Sequence, residues 1–164
     1  MSGMDDKPTY RPGQRALRRG RVSMPGQIYH VTIVTDGRAP LFTDSGLAGV
    51  VMRRLHDRAL LDDAVGLCCV VMPDHLHWLL QLGRAASLSQ LVGRFKALSA
   101  RDVNRRRKVE ARGVWQRGFH DHALRREENV EQVARYIADN PLRAGLCRSL
   151  ANYPYWNAAW DWDF

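Results

Sequence analysis

Residues 65–82 constrain this chain more than any other stretch. The run 65–72 is apolar and rich in β-branched residues, residues 75–82 alternate in character, and Pro73-Asp74 between them is a turn signal. Two strands joined by so short a link pair antiparallel, as a hairpin. The remaining segments must pack around it. Residues 28–35 (Ile-Tyr-His-Val-Thr-Ile-Val-Thr) read as another strand. Asp44 or Ser45 caps a helix running to about residue 61, with Leu47, Val50, Val51 and Leu55 at helical spacing. Ser87 caps a second helix, with Leu88, Leu91, Val92, Phe95 and Leu98 on one face. Residues 115–124 read as a fourth strand, and Asn129 caps a last helix that Asn140-Pro141 ends. The order β-α-β-β-α-β predicts an α+β, ferredoxin-like antiparallel sheet with helices on one face, plus an extra C-terminal helix. The other sheet face is open except where that extra helix covers it.

The 164 residues suffice for one domain with a core. The expected divisions are a basic arm over residues 1–25, a folded domain over 26–150 and an aromatic tail over 151–164. That tail carries Tyr153, Tyr155, Trp156, Trp160, Trp162 and Phe164, and packing back onto the domain is its first reading. The longest apolar run, residues 67–72, is far short of the ~20 residues that span a bilayer, so no membrane partner is expected. The polar, acidic residues 1–7 carry no secretory signal. Three cysteines, two of them adjacent at Cys68 and Cys69, make neither a disulfide framework nor a C-x-x-C site. A reducing, cytoplasmic setting is the expectation.

Net charge is +8, and its placement matters more than its size. Seventeen of the 25 Lys and Arg residues fall in two segments, the arm and residues 94–126. The second segment holds only three acids, Asp102, Glu110 and Asp121. A solvated helix face and a loose arm would explain such runs, but two clusters of one sign also suit a phosphate backbone. The candidate phosphate contacts are Arg18, Arg19 and Arg21 in the arm, then Arg94, Lys96, Arg105, Arg106, Arg107 and Arg117, with Arg143 beyond the last helix.

Alternation along residues 75–82 puts Leu76, Trp78, Leu80 and Leu82 on the face toward the helices. It leaves His75, His77, Leu79 and Gln81 on the other. Two imidazoles side by side could hold one metal ion, although a solvated histidine pair is the plainer reading of His-x-His alone. In the last helix Val130, Val133, Ala134 and Ile137 form the apolar stripe. Tyr136 and Asn140, four apart, share a face at its edge. A half-buried tyrosine and an asparagine ending a helix before proline would look the same.

Longer words carry a resemblance that the short ones do not. Leu17-Arg18-Arg19-Gly20-Arg21 precedes Tyr29-His30-Val31-Thr32, and Val71-Met72-Pro73-Asp74-His75-Leu76-His77-Trp78 follows. Then come Trp115-Gln116-Arg117-Gly118-Phe119-His120-Asp121 and Tyr136-Ile137-Ala138-Asp139-Asn140-Pro141-Leu142-Arg143-Ala144-Gly145-Leu146. With these words in this order, over about residues 15–160, the chain resembles the REP-associated tyrosine transposases. Those belong to the single-tyrosine transposase branch of the His-hydrophobe-His nucleases. The resemblance implies His75, His77 and Asn140 as metal ligands, Mg²⁺ or Mn²⁺ as the ion, and Tyr136 as the nucleophile. It also implies single-stranded DNA bearing a hairpin, from a repetitive palindromic element, and cleavage that leaves the 5′ phosphate on the tyrosine.

That chemistry suits the residue types. A cation that withdraws charge from a phosphodiester oxygen assists attack, and neutral ligands preserve the cation's charge. No general base is visible, and the sequence fits a monomer or a homodimer equally. His120-Asp121-His122 is a second His-x-His, but Arg117, Arg125 and Arg126 nearby would repel a cation. His30 reads as structural, and Trp115 as a core or base-stacking residue. The rival from another class is a non-catalytic nucleic-acid-binding module on the same fold, which would need aromatics where the histidines stand. A hydrolase using water in place of the tyrosine is the third possibility.

Overall fold

A computed structural model describes residues 22–110 and 112–162, so Arg18, Arg19 and Arg21 lie outside the described residues. Five strands form one antiparallel sheet: β1 (Ile28–Val34), β2 (Val65–Met72), β3 (His75–Gln81), β4 (His120–Ala123) and β5 (Trp156–Ala158), in the order β4-β1-β3-β2-β5. The first four strands have the ferredoxin-like arrangement expected, with the β2–β3 hairpin turning at Pro73-Asp74.

The helices are α1 (Ser45–Leu55), α2 (Arg58–Leu61), α3 (Leu88–Arg107), α4 (Val130–Ala138) and α5 (Asn140–Arg143). Asp44 caps α1 by accepting from the Leu47 amide at 3.0 Å, and Ser87 and Gln90 form a capping box on α3. The helix expected to run to residue 61 is instead two. The chain leaves helical geometry near His56, and Asp57 caps the short α2 by accepting from the Ala59 amide at 3.0 Å.

Helices cover both faces of the sheet. On one, Tyr29, Val31, Ile33, Cys69, Val71, Leu76, Trp78 and Leu80 pack against the apolar stripes of α1 and α3. On the other, Cys68, Val70, Met72 and Leu79 pack against Val133, Ala134, Ile137 and Ala138 of α4. The extra helix thus closes the β2 half of the face that carries the histidines.

Two segments depart from expectation. The fourth strand spans only His120–Ala123; Trp115 makes an isolated bridge to Thr35, and Gly118 takes φ +74° between them. Lys96 explains the break. Its ammonium donates to Gln116 O at 2.7 Å and Gly118 O at 2.8 Å, meeting carbonyls that a continuous strand would have turned to a neighbour. Trp115 itself is core, 9% exposed, donating from Nε1 to Ser99 Oγ at 3.0 Å. The aromatic tail folds back, as first read, and adds more than packing. Residues 156–158 pair with β2 as a fifth strand, and Tyr153, Trp156, Trp160 and Trp162 pack on the α4 side. Phe164 lies outside the described residues.

Candidate active site

Both histidines of β3 project from the sheet face that α4 covers, because they share alternation with Leu79, which packs under that helix. Their rings stand nearly perpendicular, 88°, with centroids 4.9 Å apart. His75 donates from Nδ1 to Asp74 Oδ1 at 2.6 Å, and Arg38 Nη1 holds the other Asp74 oxygen at 3.1 Å. Burial pushes the Asp74 carboxyl up, but the hydrogen bond and charge of His75, with those of Arg38, outweigh it, so the group ionises below the usual carboxylate range.

His77 Nδ1 lies 3.0 Å from His30 Nε2 and 3.1 Å from Thr32 Oγ1, both from β1. Burial, then the neighbouring His30, His75 and Arg143, hold His77 well below the ordinary imidazole value, in the neutral form. His30 is buried, and desolvation followed by His122 lowers it to about 4. In both β3 histidines Nδ1 is thus engaged within the protein, and Nε2 is the nitrogen left for a ligand.

The α4 helix brings the tyrosine. Tyr136 is half-buried on it, and the Arg143 guanidinium lies 3.9 Å above the Tyr136 ring centroid. Arg143 thus covers the phenol ring, and its charge is also felt at His77. Its position follows from the Asn-Pro-Leu-Arg-x-Gly word. Asp139 keeps right-handed helical angles between α4 and α5, Pro141 sits in the first turn of α5, and Gly145 takes φ +70° just beyond it. Asn140 opens α5 in this arrangement rather than ending α4. Its Nδ2 donates to Ile137 O at 2.8 Å, which leaves the amide oxygen as the atom for a cation.

Among the described residues no three His, Cys, Asp or Glu side chains converge as a metal site. The candidate donors are the two imidazoles and one amide oxygen. Imidazole nitrogen and amide oxygen are donor types that a divalent cation takes, and both Nδ1 atoms are already occupied.

In the second His-x-His, His122 meets a carboxylate. Pairing of β4 with β1 sets His122 across from His30 and His120 across from Thr32, yet His122 turns to Glu128, both of whose carboxylate oxygens lie 3.0 Å from its Nε2. The basic residues divide between the faces. Arg94 and Arg105, Arg106 and Arg107 belong to α3, on the opposite side of the sheet from His75, His77 and Tyr136. Arg53, Arg54, Asp102, Arg105 and Arg106 line a groove of about 540 Å³ between α1 and α3, in which Asp102 and Asp57 each hold Arg54 at 2.6 Å. Arg117 is exposed in the loop before β4, whereas the Lys96 ammonium, expected on phosphate, is occupied by the two carbonyls of that loop.

A Haemophilus influenzae protein named a REP-associated tyrosine transposase is 30% identical over 102 residues, 57% of this chain and 57% of the relative. An uncharacterised protein of the same organism is 27% identical over 95 residues, 44% of this chain and 52% of its own. The chain thus spans little more than half the length of these curated relatives. The solved structure of a REP-associated tyrosine transposase bound to a REP hairpin superposes with a TM-score of 0.64 at 20% identity, covering 86% of this chain and 82% of that one. A Deinococcus radiodurans structure described as a transposase gives a TM-score of 0.51 at 20% identity, covering 77% and 97%. The description "Transposase IS200 like" matches over residues 23–140, from just before β1 to the start of α5, and this chain belongs to that family.

Proposed function

We propose that the protein is a metal-dependent single-stranded DNA endonuclease and strand transferase. In this reading it nicks and rejoins hairpin-bearing DNA of the repetitive palindromic type through a 5′-phosphotyrosine on Tyr136. The observation that carries the proposal is the shared neighbour: Arg143 covers the Tyr136 ring and its charge reaches His77. The helix that carries Tyr136 also packs on the sheet face from which His75 and His77 project, which supports reading the three as one site. The solved relative carrying a REP hairpin supports the substrate class.

His75, His77 and Asn140 would hold Mg²⁺ or Mn²⁺, whose charge, when bound, draws electrons from a phosphate oxygen. The Tyr136 oxygen attacks phosphorus, an O–P bond forms, and the bond to the 3′ oxygen breaks. The phenol proton is released, and the departing 3′ oxygen leaves as a hydroxyl. Arg143, freed from the ring by an arriving phosphate, neutralises its charge. The phosphotyrosine remains an activated ester, so a 3′ hydroxyl reverses the step without an outside energy source. Arg18, Arg19 and Arg21 of the arm, with Arg94, Arg105, Arg106, Arg107 and Arg117, hold the rest of the DNA. The reading accommodates a monomer or a homodimer.

The test is a labelled hairpin-bearing single strand incubated with protein and Mn²⁺, resolved on a denaturing gel. The expected result is a covalent adduct that Tyr136→Phe and EDTA each abolish. Cleavage surviving Tyr136→Phe would replace this mechanism with hydrolysis by water. Tight binding with no cleavage would make the protein a binding module.

A further inference from the structure

We infer that Asp74 and His30 are positioning residues, which fix the tautomer and ring orientation of His75 and His77 so that both offer Nε2. The inference rests on the reading of those two histidines as cation ligands and adds the side chains behind them. An imidazole that takes a cation on one nitrogen carries its proton on the other, and that N–H needs a fixed acceptor.

Asp74 is such an acceptor for His75, at 2.6 Å. It is itself held from two sides. Arg38 takes its second oxygen, and its backbone carbonyl accepts from the Thr35 amide at 2.9 Å, tying the β2–β3 turn to the end of β1. Arg38 reaches it because the loop after β1 passes through left-handed angles, φ 59° at Gly37 and 52° at Arg38.

His30 plays the same part for His77, at 3.0 Å. It lies buried on β1, and a neutral His30 has a lone pair on Nε2 to receive the His77 Nδ1 proton. Thr32 Oγ1, at 3.1 Å, both donates and accepts, so it alone leaves the tautomer undetermined. Were either neighbour to donate into His77 Nδ1, the His77 proton would occupy Nε2 and block the ligand position. The two supports differ in charge: a carboxylate stands behind His75, a neutral ring behind His77.

The tautomers can be read without metal or DNA. In the full ¹⁵N-labelled chain, long-range ¹H–¹⁵N correlation spectra should show both His75 and His77 protonated at Nδ1. Asp74→Ala should change His75 alone, and His30→Ala should change His77 alone. His30→Gln, which keeps an acceptor and guards against a variant that does not fold, should retain the His77 pattern. Mn²⁺ titration followed by electron paramagnetic resonance should give affinities weaker by roughly 10- to 100-fold in each alanine variant. A proton on Nε2 of either histidine in the unaltered protein overturns the inference. So do alanine variants with unchanged tautomers and unchanged Mn²⁺ affinity. An unaltered protein with the expected tautomers and no Mn²⁺ binding would sink the metal reading while upholding the positioning one.

Discussion

Arg143 is the side chain on which the candidate site turns. An exposed cation over a phenol contributes only about 0.5–1 kcal/mol, whereas a guanidinium on a phosphate forms charge-assisted, often bidentate hydrogen bonds. On the proposed mechanism an arriving phosphate would win the guanidinium from the ring, one movement uncovering the phenol and placing a positive charge where negative charge develops. Arg143→Ala should slow adduct formation by roughly 10²-fold in single-turnover measurements, the scale of losing one such stabilising donor. Hairpin affinity, read by gel shift, should fall far less, and Arg143→Lys should recover part of the rate. Equal losses of affinity and rate would make Arg143 an ordinary backbone contact. At this scale the sequence was legible where local period sufficed: alternation paired His75 with His77, whose rings lie 4.9 Å apart, whereas the single helix expected to carry both Tyr136 and Asn140 is two, with Asn140 opening α5. His30 was not legible, since its partner is set by the diagonal register of β1 against β3. Asp74 read as a turn residue because its carboxylate's target, although the next residue, is known only once the turn closes.

Between strands and helices, Lys96 shows how a single long-range contact can edit an element. The β-like pattern over residues 115–124 is real, but a half-buried ammonium from α3 offers Gln116 and Gly118 better partners than a sheet edge. The strand consequently starts at His120. Lys96→Met should destabilise the fold by about 2 kcal/mol in urea unfolding, the scale of hydrogen bonds from a charged donor. It should leave the salt dependence of DNA binding unchanged. A reduced salt slope with full stability would return Lys96 to the DNA-binding surface. The same logic explains β5. Its three residues carry too little pattern to read as a strand, and only the exposed edge of β2 makes them one. The long elements α3, β1, β2 and β3 were legible because each buries a whole face.

Among the described residues, the basic cluster of α3 and the candidate site lie on different sides of the sheet. The β-α-β crossovers that build the sheet put α1 and α3 together on the side away from the histidines. Topology decides this, and net charge carries no information about it. A DNA strand contacting both Arg105–Arg107 and Tyr136 must accordingly pass around an edge of the sheet. The groove between α1 and α3, where Asp102 already holds Arg54, leaves Arg53, Arg105 and Arg106 exposed for such a path. If the path is used, replacing Arg105, Arg106 and Arg107 together with alanine should lower the salt slope of binding a long hairpin substrate. Three lost contacts to single-stranded DNA would lower it by about 2. The same variant should cleave a short strand covering only the Tyr136 side at an unaltered saturating rate, because none of the three touches the reacting atoms. Slopes that match on the long substrate would remove the α3 end from the footprint. A slower reaction on the short strand would mean that the two faces communicate through the sheet.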